Sequence, residues 1–133
     1  MSADQNVQTV QKAYADFSRG DLAAVMGAFA DDIQWITPGY SELSGERQGK
    51  DEVAGFFRML QEQWEFLAFE PSDYIAAGDC VVALGRYEAR SRQTRRTAAT
   101  HWAMVWTFRD GKVVRYQEYL DTATVEGAAA ASE

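Results

Sequence analysis

The chain has 133 residues, of which 47% are hydrophobic and 13% aromatic, and its formal net charge is -7. This length and composition predict one folded domain with a sizeable core and exclude a low-complexity chain. The negative charge argues against nucleic acid or an anionic membrane as a partner, because both attract basic surfaces. No apolar run approaches the ~20 residues of a membrane-spanning helix, and the polar N-terminus predicts no signal peptide.

The cysteine and histidine content limits the chemistry further. A single cysteine, Cys80, excludes an internal disulfide and favours a reducing compartment, so we expect a cytoplasmic protein. A single histidine, His101, excludes a zinc site with several His or Cys ligands. The sequence also lacks the glycine patterns of a nucleophile elbow or a phosphate-binding loop. We therefore expect neither a metal nor a cofactor.

Helical periodicity covers most of the first half of the chain. Residues 2–5 have the pattern of a capping box, and apolar residues then follow at helical spacing until Gly20. Asp21 is placed to cap a second, shorter helix. A short strand, IQWIT, ends at Pro38-Gly39 and leads into a loop. A third helix is predicted next, and its apolar face would consist of Val53, Phe56, Phe57, Leu60 and Trp64.

From Phe66 onward the pattern predicts strands. Three extended segments follow in order: FLAFEPSDYIAAG, CVVALGRYEARS and THWAMVWTF. Asp110-Gly111 then marks a tight hairpin turn into a last strand. Helices followed by antiparallel strands imply an α+β domain with one sheet and helices over one face. We assign residues 1–123 to this domain and residues 124–133 to a C-terminal tail, partly disordered or helical.

One carboxylate in the last strand lies among apolar side chains. Alternation places Val114, Tyr116, Glu118 and Leu120 on the same face. Burying an isolated carboxylate is costly unless it is paired, protonated or used in chemistry. Two interpretations follow: Glu118 is a functional acid whose pKa is raised by an aromatic cavity, or a structural carboxylate hydrogen-bonded to Tyr14 or Tyr116.

Three segments, taken in order, carry a resemblance to a known family: YADFSRGDLAAVMGAFADDIQW, GKDEVAGFF and WTFRDGKVVRYQEYLDTA. From residue 7 to residue 123 the chain resembles the nuclear transport factor 2-like superfamily, and within it the SnoaL-like, ketosteroid-isomerase-related proteins. The resemblance implies a cone-shaped α+β barrel, in which three helices cover the concave face of a curved, mostly antiparallel sheet. It also implies either a small cofactor-independent enzyme that performs acid–base chemistry on a small hydrophobic molecule, or a non-catalytic binding or structural domain.

The resemblance indicates that several catalytic groups of ketosteroid isomerases are absent. Their general-base aspartate falls at Thr37, and their second carboxylic acid falls at Met104. Their oxyanion tyrosine falls at Ala13, with Tyr14 one step round the helix, and a supporting tyrosine becomes Phe57. We therefore expect that this chain is not a true ketosteroid isomerase, because Thr37 and Met104 cannot exchange a proton as carboxylates do.

The remaining site candidates come from the strands. Limonene-epoxide-hydrolase-like members have an arginine and an aspartate where this chain has Trp102 and Met104, but their last-strand aspartate matches Glu118. The catalytic candidates are Glu118, Tyr14 and His101, although alternation places His101 on the outer face unless a β-bulge turns it inward. The predicted pocket residues, some of which must be ordinary core, are Phe17, Trp35, Thr37, Tyr40, Phe57, Trp64, Trp102, Met104, Trp106, Tyr116 and Leu120.

The outer face of the sheet is predicted to be apolar. By the same alternation it carries Cys80, Val82, Leu84, Ala103 and Val105. An apolar face of this size is unfavourable in water. In the resembled superfamily this face commonly forms a dimer contact, so we expect a homodimer.

Overall fold

The computed structural model describes residues 2–130, and within this range the α+β prediction is confirmed. The elements are α1 (Ala3–Ser18), α2 (Leu22–Gly27), β1 (Phe29–Thr37), β2 (Gly45–Gln48), α3 (Gly49–Gln63), β3 (Trp64–Ala77), β4 (Cys80–Ser91), β5 (Thr97–Arg109), β6 (Lys112–Leu120) and α4 (Thr122–Ala129). None of the helices in residues 2–130 is both long and apolar enough to cross a membrane.

The strands form one curved, open sheet in the order β2-β1-β6-β5-β4-β3. The pair β1–β6 is parallel and the other pairs are antiparallel, which confirms the mostly antiparallel prediction. Pairing of β1 with β6 brings the first half of the chain against its last strand. Residues from both ends of the sequence therefore share one concave face.

The predicted helix starts are present. The Ser2 hydroxyl accepts from the Gln5 amide and the Gln5 side chain accepts from the Ser2 amide, which completes the capping box. Asp21 caps α2 by accepting from the amide of Ala24. Between the two helices, Gly20 has a φ of 75°, a conformation that glycine adopts without strain.

Three predicted boundaries are wrong. Trp64 does not lie on the third helix but begins β3, where it is extended and pairs with Ser91. The predicted loop after Pro38 contains β2, which pairs with the end of β1. The first strand begins at Phe29 rather than at Ile33, because its early residues run beside β6. Local periodicity could not predict these boundaries, because pairing with another strand determines each of them.

A β-bulge changes the predicted face of one residue on β6. The turn at Asp110-Gly111 has positive φ at both residues, as a tight hairpin requires, and pairs Phe108 with Val113. The register then shifts, so that Val113 is 1% exposed and Val114 is only partly buried. The inward assignment of Val114 is therefore wrong, and Val113 replaces it in the core.

The last helix, α4, begins at Thr122, two residues before the segment assigned to the tail, and extends into that segment as far as Ala129. Asp121 caps it by accepting from the amide of Thr124, and its end is held by a 2.6 Å hydrogen bond from the Thr94 hydroxyl to the Ala128 carbonyl. Residues 131–133 of the assigned tail lie outside the described residues. α4 therefore follows β6 directly and lies across the open end of the concave face of the sheet.

Candidate functional site

A cavity of about 140 Å³ lies between the concave face of the sheet and the helices. The side chains that line it come from all four helices, the loop before β2 and the strands, and most are aromatic or aliphatic. Most of the predicted pocket residues line it: Phe17, Trp35, Thr37, Phe57, Trp64, Met104, Trp106, Tyr116 and Leu120.

Two of the predicted pocket residues lie elsewhere. Tyr40 is 98% exposed, because it follows Gly39 in a loop that turns toward solvent. Trp102 is 3% exposed and belongs to the core, with its ring centroid 5.5 Å from that of Tyr14 and 5.3 Å from that of Phe69. The alternation of the strand predicted correctly that Trp102 faces inward. It could not predict that Trp102 is buried in the core rather than exposed to the cavity, because rings from other segments cover it.

Glu118 faces the cavity, as alternation along the last strand predicts. Its Oε1 accepts a 3.2 Å hydrogen bond from the Tyr116 hydroxyl. Among residues 2–130 no group bonds to its Oε2, which is accessible from the cavity. The partial exposure of Glu118 is thus toward the cavity interior. Burial raises the pKa of Glu118 to about 7, although the hydrogen bond from Tyr116 acts in the opposite direction.

The Tyr14 hydroxyl is occupied by other partners. It donates to Sδ of Met104 over 3.2 Å and accepts from the indole Nε1 of Trp106 over 3.0 Å. Tyr14 therefore ties α1 to β5 and makes no hydrogen bond to Glu118, which bonds to Tyr116 instead. Its ring still lines the cavity, and burial raises the pKa of its hydroxyl.

The other sequence candidates contribute no titratable group to the cavity. The Thr37 hydroxyl donates to the backbone carbonyl of Leu43 and so holds the loop before β2. His101 is exposed on the outer face, where it pairs with Arg86 in an uninterrupted β4–β5 register. The alternative in which a bulge turns His101 inward is therefore wrong, and His101 does not belong to this site.

Sequence reasoning missed several polar residues of the cavity, among them Tyr87 on β4. Alternation along CVVALGRYEARS predicts its face, because Val81, Ala83 and Ala89 share it and are buried. Tyr87 is 7% exposed, and burial together with the charge of Glu118 raises the pKa of its hydroxyl. The alternation along β4 was therefore sufficient to predict that Tyr87 faces the cavity side of the sheet.

The contribution of α4 was also missed, and no local pattern indicated it. Thr122, Val125, Glu126 and Ala129 line the cavity at its mouth. Glu126 accepts a 2.6 Å hydrogen bond from the backbone amide of Tyr40 and so joins α4 to the loop before β2. The cavity is therefore closed on one side by a contact between residues 86 positions apart in the chain.

The aromatic walls are ordered around the carboxyl group. The rings of Trp35 and Tyr116 stack with centroids 3.7 Å apart at an angle of 12°. Trp106 meets Tyr116 edge-on, with centroids 4.8 Å apart. Within the described residues no Lys, Arg or His side chain lines the cavity. The site is thus an apolar enclosure with one deep carboxyl group and several phenols.

The comparisons with known proteins agree with this architecture. The family model of the SnoaL-like domain matches residues 10–116. An NTF2-like protein from Burkholderia xenovorans LB400 is 33% identical, with 98% of this chain and 99% of that chain covered and a TM-score of 0.89. An NTF2-like protein of unknown function from Burkholderia pseudomallei K96243 is 32% identical, with 98% and 100% covered and a TM-score of 0.90.

A third solved structure, that of TerC co-crystallised with polyporic acid, shares the fold at 24% identity, with 94% of this chain and 98% of that chain covered and a TM-score of 0.82. The family match covers most of the chain, and the two Burkholderia proteins align with nearly all of it. The described strands and helices have the order and curvature of the same cone-shaped fold. The chain therefore belongs to the SnoaL-like family of NTF2-like proteins.

Proposed function

We propose that this protein is a small cofactor-independent enzyme that binds a small hydrophobic molecule in the cavity and uses Glu118 as its general acid or base. The observation that carries the proposal is Oε2 of Glu118, which has no hydrogen-bond partner among the described residues and is accessible from a mostly apolar enclosure. Isomerisation, cyclisation, dehydration and water addition all require a proton transfer that such a group can perform.

The chemistry depends on the ionisation of Glu118. A pKa of about 7 keeps both the acid and the carboxylate populated near neutral pH, so the same group can donate or accept a proton. Tyr116 holds Oε1, which leaves Oε2 directed to a ligand. The stacked rings of Trp35 and Tyr116 provide a flat wall against which a planar molecule can pack.

A second candidate function is ligand binding without chemistry in the same cavity. It is favoured by the absence, among the described residues, of a second carboxylic acid or histidine free to transfer a proton beside Glu118. Thr37 holds a backbone carbonyl and Met104 accepts from Tyr14. The other acid of the lining, Glu126, already accepts from the amide of Tyr40. The two candidates therefore differ in whether Glu118 moves a proton of the bound molecule.

A deuterium-exchange assay tests the proposal before a substrate is known. The protein is incubated in D₂O at neutral pH with ring-sized ketones such as cyclohexanone and acetophenone, and deuterium at the carbon next to the carbonyl is measured by mass spectrometry. We expect incorporation above the buffer rate, reduced roughly a hundredfold or more by Glu118→Gln. Glu88→Gln, the same change on the outer face of β4, is the matched control and should exchange at the parent rate.

Two results would contradict the enzymatic proposal. Exchange at the buffer rate with ketones that demonstrably bind would favour the non-catalytic candidate. Equal exchange by the parent protein and the Glu118→Gln variant would assign the proton transfer to another group.

A further inference from the structure

We infer that the cavity selects an uncharged, single-ring molecule with an oxygen acceptor, and that the Tyr87 hydroxyl donates the hydrogen bond that holds this oxygen. The inference rests on the proposed function, because it specifies the ligand class of the same site. It assigns a ligand-selecting role to Tyr87 on β4, in addition to the proton-transfer role proposed for Glu118 on β6.

Tyr87 differs from the other two deep phenols of the cavity in having an unused hydroxyl. The hydroxyls of Tyr14 and Tyr116 are committed to Met104 and Glu118. Among residues 2–130 the Tyr87 hydroxyl has no hydrogen-bond partner, although the residue is 7% exposed and lines the cavity. The hydroxyl is not among the fully buried polar atoms without a partner, so it is accessible, and as a phenol lining the cavity it is open to a ligand or a water molecule.

The ring of Tyr87 is held in place by its neighbours. Phe66 meets it edge-on with centroids 5.2 Å apart, and Phe69 lies parallel to it at 6.3 Å. A phenol whose ring is packed on two sides presents its hydroxyl in a restricted direction. Its hydrogen bond to a ligand therefore costs little side-chain entropy.

Tyr87 and Glu118 approach the cavity from opposite sides of β5. Tyr87 pairs with Thr100 on one edge of β5, whereas Glu118 pairs with Met104 on the other edge. The two pairing positions are roughly 13 Å apart along the strand, at about 3.3 Å per residue. Both side chains leave these positions toward the same cavity, where the charge of Glu118 acts on the Tyr87 hydroxyl, so one small molecule between them can meet both groups.

The charge of the lining selects against anions. No Lys, Arg or His among the described residues lines the cavity, while Glu118 and Glu126 are both acids. A carboxylate or phosphate ligand would lose its hydration and gain no counterion, which is strongly unfavourable. A cation would find Glu118 but would leave the Tyr87 donor unused. An uncharged oxygen compound is the class that satisfies both groups.

The volume of the cavity limits the number of rings that a bound molecule can have. Its volume of about 140 Å³ is close to that of an engineered apolar cavity of ~150 Å³ that binds benzene. A cyclic ketone of six carbons represents this class. Its oxygen accepts but cannot donate, so it reports directly on the donor that holds it.

Four cyclohexane derivatives of similar size are used as ligands to test the inference. Cyclohexanone carries the acceptor, methylenecyclohexane is its apolar counterpart, and cyclohexanecarboxylate and protonated cyclohexylamine carry charge. Each is titrated at pH 7 into the parent protein, Tyr87→Phe and Tyr74→Phe, and dissociation constants are measured from amide chemical shifts by NMR. Tyr74 does not line the cavity and serves as the matched control.

We expect Tyr87→Phe to weaken the binding of cyclohexanone, measured relative to that of methylenecyclohexane, roughly three- to tenfold, the usual effect of one hydrogen bond. Tyr87→Phe should bind methylenecyclohexane at least as tightly as the parent protein does, because no hydrogen bond to this probe is lost, which also shows that the variant is folded. Tyr74→Phe should leave the ratio of the two affinities at the parent value, and both charged probes should bind more weakly than cyclohexanone.

The outcomes separate this inference from the proposed function. An affinity ratio of cyclohexanone to methylenecyclohexane that is the same in Tyr87→Phe as in the parent overturns the role of Tyr87 while the cavity remains a binding site. Tightest binding of either charged probe overturns the uncharged class. If none of the four probes binds, the proposed ligand-binding function fails and this inference fails with it.

Discussion

The hydroxyl of Tyr116 donates a 3.2 Å hydrogen bond to Oε1 of Glu118, two residues further along the same face of β6. The ring of Tyr116 is itself held by stacking on Trp35 and by the edge contact with Trp106. The carboxyl group thus has one positioned polar neighbour within apolar walls. Burial outweighs that hydrogen bond and raises the pKa of Glu118 to about 7.

This raised pKa makes stability depend on pH in a defined direction. Between pH 4.5, the ordinary value, and about pH 7 the folded protein retains a proton on Glu118 that the unfolded chain has lost. Stability should therefore fall as pH rises through this window, by up to ~3 kcal/mol, and the contribution should level off above it. Thermal melts from pH 4.5 to 8 measure the effect.

The Glu118→Gln variant isolates this contribution. Glutamine keeps the shape and can accept from Tyr116 but carries no charge, so the variant should be at least as stable as the parent at pH 7. Its melting temperature should also vary less between pH 4.5 and 7. A clear decrease in melting temperature at neutral pH would instead identify Glu118 as a structural carboxylate.

Two Tyr→Phe changes should differ in their cost to stability. Tyr14→Phe removes the acceptor of the buried Trp106 indole and should cost about 1–3 kcal/mol, because that donor is left unpaired. Tyr87→Phe removes a hydroxyl that bonds to no described residue and should change stability by less than ~0.5 kcal/mol. Urea denaturation measures both, and similar losses for the two variants would contradict the assigned hydrogen bonds.

Gly85 is expected to be intolerant of a side chain, because its backbone is closely packed. A Cβ at this position would lie 2.5 Å from Cζ2 of Trp102, 2.6 Å from the Glu70 carbonyl oxygen and 2.9 Å from Cα of Pro71. Gly85→Ala should therefore cost about 1–3 kcal/mol or more of the free energy of unfolding. Gly127→Ala, where a Cβ meets nothing within 4 Å, is the control and should be neutral or stabilising. An equal effect of both changes in urea denaturation would refute the close packing at Gly85.

Isomerisation of a Δ5-3-ketosteroid is expected to remain at the buffer rate. By the resemblance to ketosteroid isomerases, their acids correspond to Thr37 and Met104, and neither of these side chains can act as a general base. The cavity of about 140 Å³ is also of single-ring size, whereas a steroid has four fused rings. The absorbance of the conjugated enone product provides the readout. Robust turnover would contradict this expectation.

We propose that two copies of the chain associate through the outer face of the sheet. Val82 pairs with Val105 and Leu84 pairs with Ala103, so the partly exposed apolar residues of β4 and β5 form continuous rows. Ile75, 56% exposed, extends this apolar surface on β3. Size exclusion with light scattering should give about twice the chain mass of 14.9 kDa. Val105→Glu should give a folded monomer by circular dichroism, and a monomeric parent at micromolar concentration would refute the proposal.

The sequence alone determined the class of the fold and the face of the principal acid. A capping box at Ser2, the cap at Asp21 and the turn at Asp110-Gly111 are local signals, because each is satisfied within a few residues of the chain. Glu118 could be placed by alternation because the period of a strand is two wherever its register is unbroken. The same rule predicts the face of Tyr87.

Tertiary structure decided the features that depend on contacts between distant segments. The bulge that moves Val113 rather than Val114 into the core arises from pairing with β5, and the depth of Trp102 arises from the rings of Tyr14 and Phe69. Which phenol bonds to Glu118 was likewise open in the sequence, because Tyr14 and Tyr116 were equally plausible partners. Trp106 and Met104 engage Tyr14, and so Tyr116 bonds to Glu118.

The closure of the cavity also depends on long-range contacts. The segment after Asp121 has little apolar periodicity of its own, and it becomes a wall because Glu126 bonds to the amide of Tyr40 and Thr94 bonds to the carbonyl of Ala128. Hydrogen bonds between groups so far apart in the chain form only once the sheet has brought both partners together. The alternation of a strand shows which side chains enter a cavity, whereas the folded chain determines which polar groups remain available inside it.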